Sequence, residues 1–484
     1  MHLRTRAASL AAIALVAGPI RIAAAQSDPA LRTPPPAGGP NQQPAASFVF
    51  PSPPPVGVKD GFVYAVIGDI SGVTPATTKN LADFDQVLKI VRNTDFSLAN
   101  YEGVAFDVNA KRFPVNELGA LFPSDTTFPW DIKNMGVRMV AAANNHSVDY
   151  GSESLLESLR LLREAGLPYA GAGANLREAR AATSLATPKG KVTVVATAGT
   201  FKLNFAAADG RGALVARPGI STVRTTTFQR VTAREMSQLQ ALQAASGGAM
   251  AGEANPPREL MVLDQIYRLG TAPGLSYRMN SFDFRDLMQA VHTARQNSDF
   301  TVFTIHAHQS DTGDDDINPV PADYLVELFH GMVDAGADVV AGHGNHLLRG
   351  IEIYKGKPIF YGLASFAFSG RPAGITAGQE PRIIIPNPPP PGQPSDASIR
   401  PLPGGGPPLT MWESIFATTT WSGGKLKEIR IYPIDLNAAG AKPKGIPSFA
   451  DPALAAKILG EVKRLSAPFG TKVEIEGNVG VIRP

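Results

Sequence analysis

A chain of 484 residues with 44% hydrophobic content can bury a large core, and its length alone admits two or three domains. The formal charge of +3 at pH 7 resides in the first 25 residues, which hold Arg4, Arg6 and Arg21 and no acid. The remainder is balanced and has no run of Lys or Arg, which argues against nucleic acid as a partner. The absence of cysteine excludes a disulfide framework, a thiolate zinc site, a Cys nucleophile and a lipid on an N-terminal Cys, so any metal must be held by oxygen and imidazole nitrogen.

In chain order, Arg4 and Arg6 precede an apolar run from Ala7 to about Val16, and Ala23-Ala24-Ala25 offers a small-residue cleavage site. Pro19 and Arg21 interrupt the run before it reaches the roughly 18 residues that a membrane anchor needs. Residues 1–25 are therefore expected to be a cleavable signal peptide, leaving a periplasmic or secreted protein without a transmembrane anchor. Residues 26–57, from Thr33-Pro34-Pro35-Pro36 to Pro53-Pro54-Pro55, lack the apolar content of a core and read as an extended Pro-rich linker.

The remaining residues, 58–484, read as one α/β domain. Strands are expected over Phe62 to Ile67, ended by Gly68-Asp69, and over Asp95–Ala99, Val137–Ala143, Lys191–Ala196, Thr301–Ile305 and Asp338–Ala341. Helices are expected over Phe84–Val91, Glu153–Ala165, Phe284–Arg295 and Tyr324–Ala335; in the second, Leu155, Leu156, Leu159 and Leu162 fall at helical spacing and Gly166 is placed to end it. This alternation favours a layered architecture. A hairpin over 351–361 turns at Lys355-Gly356-Lys357, residues 386–408 form a Pro/Gly-rich insert, and strands resume at Ile415–Thr420 and Leu426–Tyr432.

Five of the eight histidines lie in three short segments, each at the carboxyl end of an expected strand. Ligands of open α/β sheets bind just beyond those ends, so segments distant in sequence can share one pocket there. The segments are Gly68-Asp69, Asn100-Tyr101-Glu102, Asn144-Asn145-His146, His306-Ala307-His308 and Gly342-His343-Gly344-Asn345-His346. Asp69 alone is also compatible with an ordinary strand-to-turn transition. Asn100 and Glu102, two apart on extended backbone, face one side, as they would in a solvated loop. A helix cap accounts for one of the three polar residues at 144–146, not for all. His306 and His308 aim the same way, and His343 with His346 among glycines is the most specific metal signal. Two carboxylates, an amide oxygen and several imidazoles suit Mn²⁺, Fe²⁺ or Zn²⁺, whereas Ca²⁺ prefers oxygen alone.

Ala143-Asn144-Asn145-His146-Ser147-Val148-Asp149-Tyr150-Gly151 and Gly342-His343-Gly344-Asn345-His346, the latter running into Gly350-Ile351-Glu352-Ile353-Tyr354, resemble the signatures of CapA-type bacterial capsule synthesis (poly-γ-glutamate biosynthesis) proteins, as does Asn100-Tyr101-Glu102-Gly103. The resemblance runs from about Val63 to Thr471. It implies a calcineurin-like metallophosphatase four-layer fold, a two-sheet β-sandwich flanked by helices, with two divalent ions. Carried over by position, it places Asp69, Glu102 and His346 around one ion and Glu102, Asn145, His306 and His343 around the other. Glu102 would bridge, His146 would face the substrate as general acid or oxyanion partner, and Asn100 and His308 would support the ligands. The chain departs from the pattern at Ala364-Ser365-Phe366, at Gln309-Ser310-Asp311, and at Ser71, where phosphoesterases of this fold carry a histidine. The implied role is in making, exporting or anchoring an anionic surface polymer, within an envelope polymer-synthesis complex. The alternative is a periplasmic hydrolase acting on phosphate esters.

Overall fold

The structure, a computed structural model, describes residues 50–71, 81–110, 112–115, 121–245, 258–313, 318–368, 409–437 and 445–484. The expected signal peptide, the linker up to residue 49 and the insert at 386–408 lie outside these residues. Two compact units emerge among the described residues, one holding those within 229–274 and the other those within 50–228 and 275–484. In the first, the helix Ala233–Ala245 packs Met236 and Leu239 with Leu260 and Val262 of the strand Glu259–Val262, which pairs with Gln265–Leu269.

The larger unit is a mixed α/β structure built on two sheets. In the first sheet, β1 (Phe62–Ser71), β2 (Phe96–Tyr101) and β3 (Met139–Ala141) run parallel. In the second, β4 (Gly190–Ala198), β5 (Phe300–Ala307) and β6 (Val339–Gly344) do the same. A short strand, β7 (Ser365–Phe368), pairs with the end of β1, and β8 (Glu413–Ser422) pairs with β1 antiparallel and leads to β9 (Lys425–Asp435). The hairpin over 351–361 extends the second sheet, with Ile351 paired to Phe360.

The period of two along a strand explains the layering. Tyr64 and Val66 point one way, into a core shared with Phe96, Leu98, Val192, Val194, Phe300, Val302 and Val339 of both sheets. Ala65 and Ile67 point the other way, against Phe84, Val87 and Leu88 of α1 (Ala82–Arg92) and Leu155, Leu159 and Leu162 of α2 (Gly151–Glu164). The second sheet turns Val195, Phe303 and Val340 outward onto Leu287 and Val291 of α3 (Ser281–Gln296) and Leu328, Phe329 and Met332 of α4 (Asp323–Ala335). Each such side chain removed from water contributes about 1.5–3 kcal/mol, so helices with only one apolar stripe are held by the sheets they cover.

Several local findings differ from the sequence expectation. Gly68-Asp69 does not end β1, which continues to Ser71 through a register shift against both neighbours. Glycine permits this: a Cβ at position 68 would lie 2.0 Å from the Ala364 carbonyl oxygen. The strand expected over 137–143 is confined to Met139–Ala141, and the chain beyond turns away to carry polar side chains. A helix not expected from sequence, α5 (Pro452–Ser466), begins at Asp451, whose Oδ1 accepts from the amides of Ala453 and Leu454, both at 2.9 Å. Residues 50–57 form no regular element but are tied to the body. Phe50 stacks on His292, and the Pro54 carbonyl accepts from Nε and Nη2 of buried Arg295 at 3.1 and 2.8 Å.

Candidate metal centre

The polar segments converge because parallel strands bring their carboxyl ends together in register. His306 on β5 stands beside His343 on β6, Asp69 on β1 beside Asn100 on β2, and Asp69 on its other side beside Ser365 on β7. The two sheets meet at these ends, where the Gly344 amide donates to Asp69 Oδ2 at 3.0 Å. Asn100 Nδ2 donates to Asp69 Oδ1 at 2.7 Å and lies 3.0 Å from His306 Nδ1. Asp69, Asn100, Glu102 and His306 are all 0% exposed, so the alternatives of a surface turn for Asp69 and a solvated loop for Asn100 and Glu102 do not hold.

Two groups of three donors form, each with its ligand atoms within 4.8 Å of one another: Asp69, His306 and His343, and Glu102, His308 and His346. This sorting differs from the distribution implied by resemblance. His306 and His343 stand with Asp69, the latter with Nδ1 at 3.6 Å from Asp69 Oδ1, and His308 stands among donors where a supporting place was expected. His346 lies between the carboxylates, with Nδ1 at 3.8 Å from Asp69 Oδ2 and Nε2 at 3.8 Å from Glu102 Oε1. Its backbone has φ 41, a left-handed conformation that costs a non-glycine residue on the order of 1 kcal/mol or more and clusters at functional sites.

The donor chemistry fits a divalent ion. Burial, with the surrounding imidazoles, holds His306 well below the usual histidine range. Burial also lowers His343 to about 4, against the opposing pull of Asp69. Both rings are thus neutral near pH 7, with lone pairs to offer. Their nitrogens lie close: His306 Nε2 is 3.1 Å from His308 Nε2, within reach of an N–H···N hydrogen bond, and His306 Nδ1 is 3.4 Å from His343 Nδ1. Asn145 Oδ1, on the loop after β3, is buried without a hydrogen-bond partner among the described residues, a state that an oxygen ligand leaves when its metal is not counted.

Three side chains to which the sequence reading gave no role in the site position these groups. Thr304 Oγ1 donates to the Ala341 carbonyl at 3.0 Å and therefore accepts from His343 Nε2, at 2.9 Å, which turns the His343 Nδ1 lone pair towards Asp69. Ser365 Oγ lies 3.0 Å from His346 Nδ1. Asp149 Oδ2 lies 2.8 Å from His146 Nδ1 and also accepts from the Phe122 amide, fixing the ring while Phe122 packs edge-on against it. The placing of Asp149 three residues after His146 was a readable signal. Thr304 was not, because its role exists only through the pairing of β5 with β6. Asn144 braces the loop by donating to the Tyr101 carbonyl at 2.7 Å and accepting from the His146 amide at 3.0 Å.

Buried carboxylates and neutral imidazoles at the joined ends of two sheets define a mixed α/β protein with residue groups suited to a metal ion. The family described as bacterial capsule synthesis protein PGA_cap matches residues 73–369, and the chain belongs to that family. Among its relatives, uncharacterized protein y4sH of Sinorhizobium fredii (strain NBRC 101917 / NGR234) is 33% identical over 451 residues, spanning 88% of this chain and 94% of the relative. The capsule biosynthesis protein CapA of Bacillus anthracis is 22% identical over 285 residues, 59% of this chain and 53% of that protein. The PGA biosynthesis protein CapA of Bacillus subtilis (strain 168) is 25% identical over 308 residues, 62% of each chain.

Proposed function

We propose that this chain is a metal-dependent CapA-type protein of the cell envelope, exported through its N-terminal segment and acting in making, exporting or anchoring an anionic surface polymer of the poly-γ-glutamate kind. Support comes from the family membership, from the names of the two Bacillus relatives and, above all, from the meeting of Asp69, Glu102, His306, His308, His343 and His346 in two adjoining donor groups. The helix-flanked pair of sheets is in keeping with a calcineurin-like metallophosphatase fold. Among the described residues no helix is long and apolar enough to cross a membrane. Partners in this reading are the polymer and the envelope complex that makes it.

Asp69, His306 and His343 would hold one ion and Glu102, His308 and His346 a second, with Asn145 as an oxygen donor. Mn²⁺, Fe²⁺ and Zn²⁺ are the ions such a mixed set suits. A bound divalent ion supplies Lewis acidity to a coordinated substrate oxygen. The chain supplies the rest: Asp149 engages His146 Nδ1, which leaves Nε2 as the nitrogen to hold or donate a proton at a substrate oxygen. That same dyad favours the second reading, a hydrolase acting on phosphate esters in the periplasm.

The test is to purify the mature chain, measure bound metal by mass spectrometry, and assay phosphate monoester and diester hydrolysis with and without Mn²⁺. Metal without turnover supports the polymer role; turnover lost in His343→Ala supports the esterase. A protein that takes up no divalent ion overturns both.

A further inference from the structure

The two donor groups are built differently. Asp69, His306 and His343 lie within β1, β5 and β6, and His306 is the paired neighbour of His343, so the register of the strands holds that group together. Glu102, His308 and His346 each stand one or two residues past the end of a strand, at Tyr101, Ala307 and Gly344 respectively. The Glu102 amide still donates to the Ile70 carbonyl at 3.0 Å, but His308 and His346 lie beyond Ala307 and Gly344, the last pair that joins β5 to β6. Their approach must be set by something other than the ladder.

One side chain joins the two segments. Arg349, three residues after His346, is 0% exposed, and its Nη2 donates to the His308 carbonyl at 2.9 Å and to the Gln309 carbonyl at 3.0 Å. Its own place is fixed: its amide donates to the Gly362 carbonyl at 3.1 Å, and a Cβ at position 362 would lie 3.2 Å from Arg349 Cγ, so the stem runs past a position that glycine keeps clear. The His308 segment is anchored from elsewhere by Thr200, whose Oγ1 accepts from the His308 amide at 2.8 Å, and by Tyr324 of α4, whose hydroxyl donates to Gln309 Oε1 at 2.8 Å. Held in this way, the His308 ring stands edge-on to that of His346, with centroids 5.4 Å apart. Taking a guanidinium out of water is unfavourable, and an apolar side chain of like volume would fill the space without that penalty, so the gain from arginine lies in the groups it grips.

We propose that Arg349 is a positioning residue for the second ion alone: it ties the His308 segment to the His346 segment and so assembles the Glu102/His308/His346 group, while the Asp69/His306/His343 group rests on the strands. This builds on the two-ion reading of the site. The test titrates the full mature protein with Mn²⁺, reading stoichiometry and affinity by calorimetry and using electron paramagnetic resonance to tell an exchange-coupled pair of ions from a single one. Wild type should bind two ions. Arg349→Met, which keeps a long stem and removes the donors, should weaken the second ion by at least about tenfold, leave the first at wild-type affinity, and replace the paired signal with that of an isolated ion. Arg349→Lys, whose compact ammonium keeps a donor on a shorter stem, should fall between the two, and it carries the test by itself if the methionine variant does not fold. Two ions bound with wild-type affinities by the folded variants, or an equal weakening of both ions, overturns the proposal. A wild type that binds one ion overturns it while leaving the first donor group standing, and a wild type that binds none overturns the metal reading with it.

Discussion

Replacing Gly344 by alanine tests the centre without touching a donor atom. The residue closes β6 between His343 and Asn345, with φ 105, a conformation that L side chains rarely adopt. A Cβ there would lie 2.9 Å from both Cε1 and Nε2 of His306. The ring has little room to yield, since its nitrogens face Asn100 Nδ2 at 3.0 Å and His308 Nε2 at 3.1 Å and it is fully buried. Backbone strain costs on the order of 1–2 kcal/mol, and forcing a methyl group into a packed site adds about 1–3 kcal/mol, so G344A should lose ~2–5 kcal/mol. Urea unfolding of the chelator-treated protein measures the loss. Gly356, with φ 75 and nothing within 4 Å of the position a Cβ would take, provides the control in which strain acts without collision. The G344A protein should also retain less metal, because His306 must move away from Asp69 and His343. A loss no larger than that of G356A, with wild-type metal content, would refute the packing of His306 against the β6 backbone and with it the arrangement of the first donor group.

Glu102→Gln should lower metal content, since an amide is a weaker ligand than an anionic carboxylate, and unchanged occupancy would remove Glu102 from the site. Thr304→Val removes the acceptor at 2.9 Å from His343 Nε2 and should weaken metal binding by about 10–100-fold, with Thr304→Ser restoring it; titration with a chelator reads the difference. His343 has a folded-state pKa of about 4, below its unfolded value, so the metal-free protein keeps the associated stability above pH 6.5 and loses it as pH falls towards 4. By pH 5 the loss is on the order of 2 kcal/mol, and His343→Gln should flatten the stability profile between pH 7 and 5 by that amount. An unaltered slope would show that the ring is not buried as neutral imidazole. Arg295, 1% exposed, pairs through Nη1 with Asp338 Oδ2 at 3.2 Å and holds the Pro54 carbonyl. Arg295→Ala should destabilise by less than the about 3–5 kcal/mol of a stranded buried charge, because Lys357 Nζ remains 2.6 Å from Asp338 Oδ1, and should expose residues 50–57 to proteolysis. Wild-type urea midpoints would discount the pair.

Much of the order of elements was legible in sequence because it depends on local pattern. Apolar runs such as Phe62 to Ile67 and the leucine stripe of α2 announce strand and helix wherever they pack. The Asp451-Pro452 start of α5 followed the same local logic, an acceptor at the cap and a proline at the first turn, and could have been read. Gly68-Asp69 could not, because continuation of β1 depends on the Ala364 carbonyl approaching from a segment almost three hundred residues away.

The residue types of the candidate centre were legible in the sequence alone: with no cysteine in the chain and five histidines gathered with Asp69, Glu102 and Asn145 near strand ends, oxygen and imidazole are the donors that these segments offer. Which donors stand together was decided by tertiary structure. His308 joins Glu102 and His346, and His306 joins Asp69 and His343, because the register of β5 against β6 and the contact of Gly344 with Asp69 set distances that spacing along the chain does not encode. The neutrality of His306 and His343 likewise comes from burial between two sheets, a property of the packed molecule and not of any segment within it.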